Sequence, residues 1–125
     1  MLGDKDAIAT VAVKDLGKAR TFYEGVLGLR VADAQGSEAI TFKSGTASVI
    51  VYRSEFAGTN KATAINWSLG KDIDRVVQGL RERGVKFEHY DLPGLSQKGD
   101  VHAFGEFKAA WFKDPDGNIL ALMGQ

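Results

Sequence analysis

Apolar and polar positions follow two different periods along this chain, and the order of those periods is used twice. Residues 7–13, Ala-Ile-Ala-Thr-Val-Ala-Val, form an apolar, β-branched run of strand length. From Leu16 the apolar positions move to spacings of three and four, through Ala19, Phe22, Tyr23, Val26 and Leu27. That spacing predicts a helix with one buried face, which Asp15 caps and Gly28 stops. Short strands are expected at 29–33, 39–43 and 47–53, the last two joined at Ser44-Gly45. A connector with Gly58 and Asn60 occupies 54–62.

The same order then returns. A strand at 63–69 leads to Asp72, which opens a helix with Ile73, Val76, Val77 and Leu80 on one face and Gly84 at its end. A strand at 85–90, a glycine-rich loop at 91–105, a strand at 107–113, a tight turn at 114–118 and a strand at 119–123 complete it. Asp15-Leu16 and Asp72-Ile73 stand at matching points, 57 residues apart. The chain therefore reads as two similar modules, about 5–54 and 62–125, related by a pseudo-twofold. Neither is expected to bury a core alone, so residues 1–125 are read as one domain.

Composition narrows the function classes. A 44% hydrophobic content allows a real core. Sixteen basic residues balance sixteen acidic ones, which argues against a nucleic-acid partner and against a polybasic membrane anchor. No apolar run reaches the roughly 18 residues of a membrane span, and the charged start has no signal-peptide core. Cysteine is absent, which excludes disulfides, zinc–thiolate sites and thiol nucleophiles from this chain. The expected compartment is the cytoplasm.

Three stretches carry a family resemblance. They are Val13-Lys14-Asp15-Leu16 with Phe22-Tyr23 and Leu27-Gly28-Leu29; Asp72-Ile73-Asp74 followed by Arg83-Gly84-Val85; and Trp111-Phe112-Lys113-Asp114-Pro115-Asp116-Gly117-Asn118. Together they resemble the glyoxalase I, bleomycin-resistance and extradiol-dioxygenase family, the vicinal oxygen chelate superfamily. The resemblance implies an α+β fold: two βαβββ modules forming a curled mixed sheet with an internal cup, and helices outside. It also implies a small organic ligand inside the cup and a homodimer. Members include metal-dependent lyases, isomerases and dioxygenases as well as metal-free drug-binding proteins, so the fold does not decide the activity.

Strand alternation assigns the cup-facing side chains. In the first strand Ile8, Thr10 and Ala12 face the cup. In the first strand of the second module, counting back from Asp72 would bury Asn66 and Ser68 under the helix, at roughly 1–3 kcal/mol each without partners. A bulge at Gly70 avoids this and turns Ala64, Asn66 and Ser68 to the cup, with Ile65, Trp67 and Leu69 in the core. Ala109 and Trp111 face the cup, as do Ile119, Ala121 and Met123, and Thr41 is the repeat counterpart of Trp111. Tyr52 stands at a strand end, within reach of the rim. The expected ligand-binding residues are Thr10, Thr41, Tyr52, Asn66, Ser68, His102, Phe104 and Trp111. Trp111 serves either as a stacking platform or as core filling. The 91–105 loop is either a lid that closes Leu92, Leu95, Val101 and Phe104 over an apolar ligand, or a fixed cover or dimer contact.

The resemblance also implies where a metal would be held. The donor positions fall on Ile8, Ala64 and Ala121, and none of these side chains has a lone pair to offer. No metal and no cofactor are expected. His89 is expected at the surface at the end of a strand, and His102 on a mobile loop. The favoured function is binding of a hydrophobic or amphipathic organic molecule, with bleomycin-type sequestration as one form. The competing reading is a metal-dependent lyase, isomerase or dioxygenase with a relocated ion around His102 and Glu106. A third is a dimeric regulatory or structural domain with a vestigial cup. Asp114 and Asp116 read as turn residues, and Phe22-Tyr23 as helix core.

Overall fold

A computed structural model describes residues 1–36 and 38–125, with Gln35 described through its backbone. The chain divides into two units, Met1–Thr59 and Asn60–Gln125. Each is a mixed sheet with a helix on one face, so the fold is α+β.

Module one contains β1 (Ala9–Val13), α1 (Leu16–Arg20), β2 (Arg30–Gln35), β3 (Ala39–Ser44) and β4 (Ala47–Arg53). The strand order is β1-β4-β3-β2, with β1 parallel to β4 and the other pairs antiparallel. As the sequence suggests, Asp15 caps α1: its Oδ1 accepts from the Lys18 N–H at 3.0 Å. The helix does not stay regular, however. After Arg20 it continues as a π-helical stretch, Thr21–Val26, closed by a Leu27 N–H to Phe22 carbonyl bond of 2.9 Å. The wider turn buries Tyr23 completely and leaves Phe22 half-buried, edge-on to it at 5.3 Å. Tyr23 meets Phe42 of β3 at 5.8 Å, among Val11, Val13, Val49, Val51 and Ile40. Full burial of each such side chain contributes about 1.5–3 kcal/mol.

Module two contains β5 (Thr63–Gly70), α2 (Ile73–Glu82), β6 (Phe87–Glu88), β7 (Ser96–Lys98), β8 (Val101–Phe104), β9 (Phe107–Lys113) and β10 (Ile119–Gly124). Its order is β5-β10-β9-β8-β7, with β5 parallel to β10 and β6 also paired to β9. The bulge expected at Gly70 is present. Met123 pairs with Ser68 but Gly124 pairs with Gly70, whose φ is +56°. Ile65, Trp67 and Leu69 are accordingly half-buried, while Asn66 and Ser68 are exposed on the other face. A second slip skips Ala64. The helix closes tightly on this sheet at Gly124, where any Cβ would collide with the Gly70 carbonyl oxygen and the Ile73 side chain. Unlike Asp15, Asp72 makes no side-chain cap to its helix; it pairs with Arg75 at 3.5 Å.

Two expectations for residues 85–105 are corrected. The strand expected at 85–90 pairs only through Phe87 and Glu88, opposite Phe112 and Trp111, before the chain leaves the sheet. The long loop is not irregular throughout: β7 and β8 form a hairpin, and β8 rejoins β9 opposite Phe107–Ala109. In module one a single strand, β2, lines β3. In module two the corresponding edge of β9 is shared by β6 and β8, with the intervening residues looped out.

The Asp114–Asn118 turn is structural. Buried Asp114 accepts through Oδ1 from the Asp116 and Asn118 backbone N–H groups, both at 2.9 Å, and through Oδ2 from Asn118 Nδ2 at 2.8 Å. Among the described residues, no helix is long and apolar enough to cross a membrane.

Candidate functional site

In each module one sheet face carries the helix and the other is left open. Register decides which residues lie where. In module one Thr10, Ile50, Thr41 and Asp33 pair across the four strands, and Ala12, Tyr52 and Ala39 form the neighbouring row. All lie opposite the face on which Tyr23 packs, so Thr10, Thr41 and Tyr52 share one surface. Thr10 and Tyr52 are exposed and Thr41 is half-buried.

In module two Asn66, Ala121, Trp111 and Glu88 form one open-face row, and Ser68, Met123, Ala109, His102 and Gln97 the next. Phe104, two residues beyond His102, lies on the same face and is exposed. All five candidates from this module therefore share one face. Leu120, Leu122 and Phe112 lie behind, on the side where Ile73 meets Gly124.

His102 is the residue whose surroundings differ most from expectation. It is not on a mobile loop; it is in β8 and only 1% exposed. Its ring lies 5.0 Å from Trp111 and 6.2 Å from both Tyr90 and His89, centroid to centroid. The Tyr90 backbone N–H donates to His102 Nε2 at 2.9 Å. This bond falls where β6 has left β9 and β8 has not yet begun, so a side-chain nitrogen takes the place of the missing ladder acceptor. A neutral imidazole that accepts at Nε2 carries its proton on Nδ1. That Nδ1 is buried and has no hydrogen-bond partner among the described residues.

The hairpin is tied down at its turn. Asp100 Oδ2 takes the Arg81 guanidinium of α2, from Nε at 2.9 Å and Nη2 at 2.6 Å, and Oδ1 takes His89 Nε2 at 2.7 Å. The His89 hydrogen bond, followed by Arg81, holds the Asp100 carboxyl below its ordinary value against an opposing effect of burial. His89 is half exposed at the surface, as expected.

A cavity of about 490 Å³ opens on this face of module two. Trp111 and Tyr90 stand edge to face at 5.2 Å and 73°, forming an aromatic corner, and Leu92, Ile119 and Ala62 add apolar wall. Lys61, Thr63, Glu88 and Lys113 supply the polar part, with Lys113 Nζ 3.1 Å from Glu88 Oε1. Of the five module-two candidates only Trp111 lines this cavity. Sequence reasoning missed Tyr90, which it placed in a strand, and the lysines. The signal available was the position of Tyr90 next to a break in strand pairing, which the sequence does not mark. Module one has a cleft of about 520 Å³ between Lys14, Glu38, Arg53, Ser54 and Glu55, but its wall is charged and Arg53 pairs with Glu38 at 3.3 Å.

The positions at which the resemblance implies metal donors do not fit an ion. Ile8 precedes β1, Ala64 lies in the β5 slip, and Ala121 is fully buried beside Trp111; none has a donor atom. Among the described residues no three His, Asp or Glu side chains gather as a metal-binding group. For the relocated site, the Nε2 lone pair of His102 is already used by Tyr90, and no such group forms around His102 and Glu106.

Two mixed sheets, each opening with a strand and a helix and closing on an antiparallel strand pair, the second with an added hairpin, define a protein of two related modules. The sequence profile described as Glyoxalase/Bleomycin resistance protein/Dioxygenase superfamily matches residues 7–122, and the chain belongs to that superfamily. The glyoxalase family protein from Enterococcus faecalis is similar in structure, with TM-score 0.73, 19% identity and coverage of 98% of this chain and 99% of that one. The fosfomycin resistance protein FosX from Listeria monocytogenes gives 0.73, 16%, 100% and 95%. Lactoylglutathione lyase from Agrobacterium tumefaciens gives 0.71, 14%, 99% and 96%. At these identities the likeness is one of fold. Among curated proteins the sequence has no significant match.

Proposed function

We propose that this chain is a small-molecule-binding member of the superfamily, holding a hydrophobic or amphipathic organic ligand against the open face of module two. The observation that carries this reading is the cavity of about 490 Å³ with the Trp111–Tyr90 corner as its wall. Its size and mixture of apolar wall with few polar groups match small-molecule sites. The hydrocarbon side chains at Ile8, Ala64 and Ala121 support binding in place of metal-assisted turnover. The protein acts in the cytoplasm as a homodimer on this reading, and light scattering at micromolar concentration tests the dimer.

The chain has two tryptophans, Trp67 on the helix side and Trp111 in the cavity wall. Ligand titration of wild type and of Trp67→Phe, followed by fluorescence, therefore reports the cavity. Saturable quenching that survives Trp67→Phe, with a raised melting temperature, is the expected result. Stoichiometric divalent metal in the purified protein, lost in His102→Ala, would overturn the reading in favour of an enzyme. A broad aromatic library that neither quenches nor stabilises would leave the open face without a ligand role.

A further inference from the structure

The binding role leaves the charge of the ligand open, and the cavity wall decides it. We propose that the module-two cavity selects a flat aromatic ring bearing one negative group, of the aryl carboxylate class; this rests on the binding role argued above. Trp111 and Tyr90 meet at 73°, so a ring stacked on one is met by the edge of the other, both of them favoured aromatic arrangements.

Three charged side chains stand in the wall. Lys113 and Glu88 neutralise each other at 3.1 Å. Lys61 makes no ion pair among the described residues, so one positive charge remains at the mouth. Its backbone is held by an Asx turn in which the Ala62 N–H donates to Asn60 Oδ1 at 3.1 Å. The unmet demand of the cavity wall is thus for an anion, not for a cation.

The test uses the full chain and three probes with one ring system: 2-naphthoate, 2-naphthylmethanol and 2-naphthylmethylammonium. At low salt naphthoate is expected to bind about three- to tenfold more tightly than the alcohol, as suits one exposed lysine, with the ammonium weakest. The advantage shrinks as salt is raised. Lys61→Gln closes the gap between naphthoate and alcohol, and Lys61→Glu reverses it; Lys61 is exposed, so both variants keep the fold. Equal binding of naphthoate and alcohol, or a gap untouched by Lys61→Gln, overturns the charge selection and leaves the binding role standing. Tightest binding of the ammonium overturns it in favour of a cation–π site. Failure of all three probes to bind wild type overturns both.

Discussion

Thr41-Phe42-Lys43 in module one and Trp111-Phe112-Lys113 in module two occupy the same place in the repeat. Phe42 and Phe112 are both fully buried on the helix face, each against another aromatic ring, Tyr23 in one case and Phe87 in the other. One residue earlier the modules diverge. Thr41 looks out from a face on which no described side chain of its row or the next is fully buried. Trp111 belongs to a cluster with Tyr90 and buried His102, and walls a cavity. The helix faces hold each module together by the same means, whereas the open faces are built differently. What separates them is the excursion after β6 that ends in β8, supplying Tyr90 and Leu92 from the loop and His102 from β8 to one module, where module one has the single strand β2.

The largest test concerns the part that is shared. Phe42→Ala and Phe112→Ala should each cost about 3–5 kcal/mol in urea unfolding. A difference beyond about 2 kcal/mol would break the equivalence of the two helix faces. His102→Ala comes next. It removes packing against three rings, Trp111, Tyr90 and His89, and the acceptor of the Tyr90 N–H, for about 2–3 kcal/mol. Hydrogen exchange at the Tyr90 amide should quicken with it; an unchanged amide would mean that the bond across the strand break is dispensable.

Trp111→Thr writes the module-one residue into module two. Affinity for an aryl ligand should fall at least about tenfold, a 1.4 kcal/mol effect, by fluorescence-independent calorimetry. Retained affinity would place the ligand elsewhere. A pH experiment addresses the hairpin alone. The folded pKa of Asp100 lies below its unfolded value, principally through His89 and then Arg81. The carboxylate therefore contributes stability above the ordinary carboxylate range, and the contribution is lost as pH falls through the folded value. As pH falls below the ordinary aspartate value of about 3.9, amides of β7 and β8 should lose protection before those of β2 and β3, and Asp100→Asn should abolish that order. The smallest effect is expected at Thr41→Ala, within about 0.5 kcal/mol by unfolding; a larger loss would show that the open face of module one is packed after all.

The features legible beforehand share a short range. Asp15 three residues before the Lys18 amide, Asp114 with its turn closed by Asn118, and Gly70 at the point where alternation would have buried Asn66 and Ser68 are all settled within a few bonds. The π-helical turn at Thr21–Val26 was not legible, because the apolar stripe is compatible with either hydrogen-bond pattern. Nor was the role of His102, since a polar residue among glycines has the local signature of an exposed loop.

By itself, then, the order of apolar periods and turn residues determined the two-module α+β plan, the helix faces and the absence of donor atoms at Ile8, Ala64 and Ala121. Those are properties of local backbone preference and of side-chain chemistry. Only the tertiary structure decided that Tyr90 and Trp111 form a corner over His102. That arrangement depends on β8 finding β9 after a detour from β6, and the pairing of strands so far apart along the chain is set by mutual burial and ladder hydrogen bonds instead of by any neighbouring residue.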